Sequence, residues 1–268
     1  MANYEFGFIG TGSMGGALAR AAAKAVDPAR IILSNRTPQK AEQLAERLGC
    51  AHGGNENAAK ARFIMLGVKP QMMADMLAGI APVLAARQDR FVLVSMAAGL
   101  TMAQIAAMAG GDYPVIRIMP NTPAEIGRGV ILMDADERVT EGEIGDFLAA
   151  LRAAGTFDRL PEKLIDAGSA ISGCGPAFAY MFIEALADGG VACGLPRAKA
   201  LSYAAEMLAG AAALAGRGEK HPGALKDAVC SPGGSTIAGV RALEEKAFRA
   251  AVMDAVIAAF EKTKELGR

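Results

Sequence analysis

The sequence is poor in the residues from which metal centres are built. It has only two histidines, His52 and His221, and its four cysteines form no Cys-x-x-Cys pair. The common zinc spacings are therefore missing. We expect no bound metal and four reduced thiols, as in a cytoplasmic protein.

The sequence also has no excess of charge of either sign. Lysine plus arginine and aspartate plus glutamate number 28 each, so the formal net charge is zero. A chain without a basic cluster does not suit a nucleic acid, and a low net charge favours association between copies. We find no uncharged run of about 18 apolar residues and expect no membrane span. The glycine motif described below begins too early for a signal peptide to precede it.

The 268 residues are enough for one large or two modest domains. Up to residue 135, short apolar runs alternate with helical patterns at 16–25, 39–48, 71–86 and 102–108. This alternation predicts a Rossmann-type, doubly wound parallel sheet. The candidate strands are residues 6–9, 30–34, 62–68, 91–96, 115–119 and 129–133.

The pattern changes near residue 160. Alanine-rich segments at 162–193, 196–215 and 235–265 predict helices, and no strand pattern follows Pro161. These helices are too apolar to stand alone, which suits a subunit interface. We therefore predict an α/β dinucleotide-binding domain at residues 1–160 and an all-α domain at residues 161–268.

A glycine motif follows the first predicted strand and opens a helix. In such a motif, Gly10 allows a tight turn, Gly12 lets a pyrophosphate approach the backbone, and Gly15 lets the helix pack closely. The helix N-terminus adds free N–H groups. The alternative is a glycine-rich packing turn that binds nothing. The cofactor-binding residues predicted here are Ile9, Gly10, Thr11, Gly12, Ser13, Met14 and Gly15.

The end of the second predicted strand indicates which dinucleotide binds. NAD-binding folds usually carry a carboxylate there, whereas this chain has Ser34, Asn35, Arg36 and Thr37. Arg36 can pair with a 2′-phosphate, and its neighbours can donate hydrogen bonds. We predict NADPH as the preferred cofactor, with NADH possible. The alternative for Arg36 is a solvated loop arginine.

Other predicted strand ends point to the same crevice, because ligands in open α/β sheets lie at the carboxyl ends of strands. Two small alanines leave room for a nicotinamide ring, and prolines stiffen the loop around an asparagine. The cofactor-binding residues predicted at these ends are Val68, Lys69, Pro70, Ala97, Ala98 and Asn121.

A second glycine-rich loop bearing hydroxyls, residues 221–236, is predicted to lead directly into a helix. Its N–H groups form a nest for an anion. Since the first loop already serves the phosphates, this anion is expected to be a substrate carboxylate. The alternative is an ordinary helix cap by Ser235 or Thr236.

Over essentially its whole length the chain resembles pyrroline-5-carboxylate reductase. The resemblance rests on residues 7–14, 68–70, 115–123 and 172–178, and above all on the loop at 231–236. Cys174 stands where the family commonly has serine, and Gly67 where it commonly has alanine. We expect neither departure to disturb the chemistry.

The resemblance implies reduction of the cyclic imine 1-pyrroline-5-carboxylate to L-proline by hydride from NAD(P)H, the last step of proline biosynthesis. It also implies a homodimer interlocked through the helical domain, with larger rings occurring in the family. Thr236 is the expected catalytic residue, which orients the ring nitrogen first and relays a proton second. Glu219 is equally well read as a solvated loop residue. The implied substrate-binding residues are Glu219, Ser231, Gly233, Gly234, Ser235 and Thr236.

Three other functions stay open at this point. A β-hydroxyacid dehydrogenase would need a lysine on the first long helix of the second domain, where none occurs before Lys199. Another NAD(P)H-dependent imine reductase would share most of these features. A non-enzymatic, NADP-sensing oligomeric protein would lack a use for the second anion loop.

Overall fold

The structure is a computed structural model and describes residues 4–266. It contains two compact units. The first holds the described residues up to Cys174 together with those from Ala259 onward, and the second is Gly175–Ala258. The domain boundary predicted after residue 160 stays a prediction.

The first unit is built on an eight-stranded sheet. Its strands are β1 (Phe6–Ile9), β2 (Ile31–Ser34), β3 (Ala51–His52), β4 (Phe63–Leu66), β5 (Val92–Ser95), β6 (Val115–Met119), β7 (Gly129–Ala135) and β8 (Gly155–Arg159). Their order is β3-β2-β1-β4-β5-β6-β7-β8. The strands from β3 to β6 pair in parallel. The strand order reverses at β1, because β2 lies on one side of it and β4 on the other. This reversal creates a crevice at the carboxyl end of β1.

Helices cover both faces of the sheet. They are α1 (Ser13–Ala22), α2 (Pro38–Leu48), α3 (Asn55–Ala58), α4 (Met73–Ala86), α5 (Met102–Ala109), α6 (Glu141–Leu151) and α7 (Glu162–Ser172). One apolar layer joins the sheet to α1, α2 and α6, and includes the stacked rings of Phe6 and Phe63, 5.1 Å apart. The other joins it to α4 and α5. Because both faces are covered, most strands are continuously apolar.

The predicted doubly wound α/β fold is confirmed, with differences at the sheet edges. β7 runs antiparallel to β6, where an all-parallel sheet was predicted, and β8 then pairs in parallel with β7. β3 and β8 were not predicted. β3 has only two residues, and β8 is a largely polar segment that begins at Gly155. This glycine has a φ of +139°, and a Cβ there would lie 2.1 Å from the Gly129 carbonyl oxygen.

The helix α6 was not predicted either, although its start carries a sequence signal. Thr140 and Glu143 form a capping box, in which each side chain accepts a bond from the other residue's backbone N–H. The Glu143 carboxylate also accepts bonds from Arg90, at 2.8 Å from Nε and 3.0 Å from Nη2. The Arg90 guanidinium holds the pKa of Glu143 at about 2, below its ordinary 4.5.

The Glu143→Gln variant is expected to lose about 1–2 kcal/mol of unfolding free energy at pH 7. The value stays modest because Arg90 is half exposed and water screens the pair. The wild-type advantage should persist above pH 4.5 and disappear as the pH falls towards 2, where the carboxylate is protonated. Urea unfolding across this range measures it. Glu141→Gln, which alters an exposed pair with Arg159, serves as the control, and an equal loss in both variants would contradict the assignment.

The second unit is helical. Its elements are α8 (Gly175–Ala192), α9 (Arg197–Ala215), α10 (Pro222–Val229), α11 (Ser235–Glu245) and the part of α12 (Phe248–Leu266) up to Ala258. Among its described residues only three side chains are buried, and all are alanines: Ala187, Ala200 and Ala204. Large apolar side chains such as Met181 and Met253 are well over half exposed. The unit therefore has no hydrophobic core of its own.

One described helical stretch, Glu162–Ala192, is long and apolar enough to cross a membrane by length and composition alone. Gly173 and Cys174 divide it into α7 and α8. Length and composition are weak criteria, because an apolar helix that packs against protein meets them too.

Candidate active site

The glycine loop has the geometry that a pyrophosphate site requires. Gly10 has a φ of +99°, and a Cβ on Gly15 would lie 2.0 Å from the Gly10 carbonyl oxygen. A Cβ on Gly12 would meet no described atom within 4 Å. Gly12 is also the N-cap residue of α1, and no side chain caps this helix. The first N–H groups of α1 therefore lie beside open space.

Gly67 completes this loop in a way that the sequence did not reveal. A Cβ on Gly67 would lie 2.5 Å from the Gly10 carbonyl oxygen, and a Cβ on Gly10 would lie 2.6 Å from the Gly67 oxygen. The Gly67 N–H donates to the Ile9 carbonyl at 2.8 Å. With the backbone of this chain, a Cβ on either glycine would therefore clash with the carbonyl oxygen of the other.

After β2, two of the predicted residues are used to shape the loop. Ser34 is buried and donates its hydroxyl proton to Asn55 Oδ1 at 2.6 Å. Asn35 Nδ2 donates to Thr11 Oγ1 at 3.1 Å, and Asn35 Oδ1 accepts from the Thr37 N–H. Asn55 had no sequence signal, since only tertiary folding brings it to Ser34.

Arg36 and Thr37 are exposed, which leaves them accessible to an anion. The Arg36 guanidinium makes a long contact, 3.9 Å, with the Met72 sulfur. Thr37 is the N-cap residue of α2 but makes no side-chain cap, and no acidic residue stands in the first turn of this helix. This environment fits a 2′-phosphate.

The ends of β4 and β5 lie at the same edge of the sheet. Lys69 is exposed and precedes a 3₁₀ turn at Pro70–Met72. Ala97 is buried, and its N–H donates to Ser95 Oγ at 3.3 Å. Ala98 packs beside Met119, Leu132 and Ile165. The predicted contacts of Ala97 and Ala98 with the cofactor stay predictions.

Asn121 joins three elements at the end of β6. Its side chain is buried, its Oδ1 accepts from the Val130 N–H at 3.0 Å, and its Nδ2 donates to the Ser172 carbonyl at 2.8 Å. Both ends of the amide are therefore engaged by the protein. The predicted contact between this residue and the cofactor stays a prediction.

Arg117, which was not among the predicted site residues, holds α7 against the sheet. It is fully buried on β6, and its Nη2 donates to Asp166 Oδ1 at 2.5 Å. Its Nη1 lies 3.6 Å from the carboxylate of Glu162, which also accepts from the Met102 N–H at 2.6 Å. A charged residue in the middle of an apolar strand was the signal that could have identified it.

The predicted loop at 221–236 is mostly a helix in the structure, so that prediction was too long. Residues 222–229 form α10, because Pro222 suits the first helical position and His221 Nδ1 accepts from the Gly223 N–H at 3.1 Å. The loop itself is only residues 230–234.

In this short loop the Gly234 N–H donates to the Ser231 carbonyl at 3.0 Å, and α11 begins directly after it. Gly234 is the N-cap residue, and no side chain caps the helix, so the alternative of a cap by Ser235 or Thr236 is wrong. Gly233 has a φ of +66°, and a Cβ on Gly234 would lie 2.4 Å from Ser231 Oγ. Ser231, Ser235 and Thr236 are exposed. The exposed Glu219 lies before α10.

A doubly wound sheet with an open glycine loop, followed by apolar helices, defines a dinucleotide-dependent oxidoreductase class. Residues 5–99 match the family model of NADP oxidoreductase, coenzyme F420-dependent, and residues 162–266 match that of pyrroline-5-carboxylate reductase dimerisation. The apolar stretch at Glu162–Ala192 lies within the second match.

Comparison with full-length relatives identifies the family more specifically than these two partial matches. The chain is 40% identical to pyrroline-5-carboxylate reductase of Escherichia coli, over 98% of each chain. It is 39% identical to that of Pisum sativum, over 98% of this chain and 96% of the relative. A crystal structure of Plasmodium falciparum pyrroline carboxylate reductase with NADP bound matches with a TM-score of 0.89, at 31% identity and over 100% of both chains. The chain belongs to the pyrroline-5-carboxylate reductase family.

Proposed function

We propose that the protein reduces 1-pyrroline-5-carboxylate to L-proline with NADPH, in the last step of proline biosynthesis. Family membership supports this activity. The observation that carries it is a pair of loops that each end in a helix without a side-chain cap, α1 after Gly12 and α11 after Gly234. Such helix ends bind anions, and the two anions are the cofactor pyrophosphate and the substrate carboxylate.

The reaction demands little acid–base chemistry from the protein. A hydride from the bound dinucleotide goes to the imine carbon, and the protonated ring nitrogen becomes a secondary amine as the C=N double bond is reduced. The N–H groups of Ser235 and Thr236 hold the carboxylate. The Thr236 hydroxyl orients the ring nitrogen, and Glu219 is the proposed charged partner nearby. The protein then accelerates the reaction by positioning the two reactants and by stabilising the charge that develops between them.

The assay that tests this activity follows NADPH absorbance after addition of the pyrroline imine, of larger cyclic imines and of a cyclic imine without a carboxylate. Turnover is expected to be fastest with the five-membered imino acid. Faster turnover of an imine without a carboxylate would favour another imine reductase. Tight NADPH binding without turnover of any imine would favour a sensor.

Arg36→Ala is expected to raise KM for NADPH about tenfold and to leave KM for NADH unchanged, because only NADPH carries the 2′-phosphate. Steady-state kinetics with both cofactors measure the split. Arg47→Ala is the matched control, since Arg47 is an exposed α2 arginine that bonds only a backbone carbonyl in the described contacts. Equal losses with both cofactors would show that Arg36 does not contact the phosphate.

We also propose that the protein acts in the cytoplasm as a homodimer interlocked through its helical unit, with rings of dimers as a further level. The scarcity of buried side chains supports this, since only three alanines are buried among the described residues of the helical unit. An apolar groove of about 440 Å³ between α8, α11 and α12 supports it as well. Phe178, Phe182 and Phe248 line this groove. A second copy of the chain would cover these side chains.

Phe248→Glu is expected to convert the dimer to a monomer, because a carboxylate in an apolar interface is strongly unfavourable. Sedimentation velocity measures the change. Arg241→Glu, on an exposed polar position of α11, controls for added negative charge. A dimer that survives Phe248→Glu would place the interface elsewhere.

A further inference from the structure

A charged cluster connects β6, α7 and the start of α5, and its members are Arg117, Glu162 and Asp166. Arg117 is only 1% exposed and donates to Asp166 Oδ1 at 2.5 Å, while its Nη1 lies 3.6 Å from Glu162 Oε1. The same Glu162 oxygen accepts from the Met102 backbone N–H at 2.6 Å. Because a buried arginine is stable only with carboxylates around it, the cluster fixes the place of the Glu162 carboxylate.

The bond to Met102 fixes the end of the loop between β5 and α5. This segment, residues 96–101, is named the β5–α5 loop here. Met102 is the first residue of α5, so its N–H has no acceptor within the helix and takes Glu162 instead. In the middle of the loop, Ala98 packs against an apolar cluster that includes Ile165 of α7. The helix α7 therefore holds the loop at two points.

The sheet register places the β5–α5 loop beside the glycine loop. Ile9 on β1 pairs with Leu66 on β4, and Leu66 pairs with Ser95 on β5, all in parallel. The glycine loop starts after Ile9 and the β5–α5 loop after Ser95, so both leave the sheet at the same level. Adjacent strands lie about 4.8 Å apart, which puts the two starts about 10 Å from each other. Dinucleotides bind along this edge.

We propose that Arg117 is a positioning residue for hydride transfer, acting through Glu162 and the Met102 N–H on the β5–α5 loop. Ala98 and Gly99 of this loop are partly exposed, so the loop can support the nicotinamide ring. Hydride transfer needs its two carbons in near contact, and a misplacement of about 1 Å can lower the rate about 100-fold. The proposal rests on the proposed function, which supplies the dinucleotide and the imine.

Met102→Pro tests the link without changing a charged residue. Proline suits the first position of a helix and lacks the N–H, and Thr101 before it has the extended backbone that proline requires, with φ −82° and ψ 162°. Met102→Ala is the matched control, because it loses the same side chain and keeps the N–H. We expect kcat with the pyrroline imine to be about tenfold lower in Met102→Pro than in Met102→Ala. KM for NADPH should differ less than about threefold, since the phosphate contacts are unchanged.

Two measurements report on the loop without turnover. The fluorescence anisotropy of saturating NADPH should be lower in Met102→Pro than in Met102→Ala, because a loosened loop leaves the nicotinamide more mobile. Hydrogen exchange in the β5–α5 loop should be faster. Arg117→Met should change kcat and both signals in the same direction. Combining it with Met102→Pro should add little to the loss of kcat, because both changes break one link. Arg117→Lys takes its place if Arg117→Met does not fold.

Several results would overturn the proposal. Met102→Pro and Met102→Ala proteins with equal kcat and equal anisotropy would show that the Met102 N–H positions nothing. Fully additive losses in the double variant would separate Arg117 from the loop. A wild-type protein that binds NADPH and leaves the pyrroline imine unreduced would refute the proposed function instead, and the anisotropy comparison would still decide whether this link holds the nicotinamide.

Discussion

Gly12→Ala is expected to fold normally and to bind NADPH about 100-fold more weakly. A Cβ at this position would meet no described atom within 4 Å, and the φ of −70° suits alanine. The methyl group would, however, occupy the space where the pyrophosphate approaches the N–H groups of α1. Loss of one or two hydrogen bonds to a charged group accounts for a change of this size.

Variants at two further glycines serve as controls for this experiment. Gly145→Ala on α6 also meets open space, far from the loop in sequence, and should keep full NADPH affinity and gain slightly in stability. Gly15→Ala should damage the fold itself, since its Cβ would lie 2.0 Å from the Gly10 carbonyl oxygen. Thermal unfolding and fluorescence titration separate the two effects. Unchanged NADPH affinity in a folded Gly12→Ala protein would remove the pyrophosphate from this loop.

Thr236→Ala is expected to lower kcat by about 10- to 1,000-fold, the range for loss of one positioned donor. KM for NADPH should stay within about twofold, because the residue is assigned to the imine and not to the cofactor. Thr236 is exposed near the start of α11, so the fold should tolerate the change. Stopped-flow measurement of NADPH oxidation isolates the hydride-transfer step.

The conservative Thr236→Ser variant keeps the hydroxyl and should recover most of the lost rate. Ser235→Ala, one residue earlier, removes a hydroxyl but leaves the backbone N–H that is proposed to hold the carboxylate. It should therefore affect kcat much less. A Thr236→Ala protein with nearly normal kcat would show that backbone groups and the cofactor suffice for catalysis.

Local patterns were enough to predict most of the sheet. The apolar runs around Phe63–Leu66 and Val92–Ser95 became β4 and β5 because strands buried on both faces need such runs. β8 lacks that signal, since Gly155–Arg159 contains one large apolar residue, and its place in the sheet depends on the close approach of Gly155 to Gly129. Only the folded chain brings those two glycines together.

The same distinction applies to the site. The loop at Gly10–Gly15 is a contiguous motif whose geometry follows from its residues, so it was predictable. The contacts of Asn121 with Val130 and Ser172 join residues up to 51 positions apart. No local sequence pattern predicts contacts over such a separation. α10 was missed because His221, Pro222 and Gly223 are typical of turns, although His221 and Pro222 also suit a helix start.

The near absence of buried side chains in Gly175–Ala258 bears on how the enzyme would be made in a cell. In the proposed homodimer, the helical unit would gain most of its apolar contacts only when another nascent or finished chain arrives. Maturation would then be a second-order process that slows at low expression. A defective subunit co-expressed with a normal one would be drawn into mixed assemblies and would lower the yield of working enzyme more than in proportion to its own share.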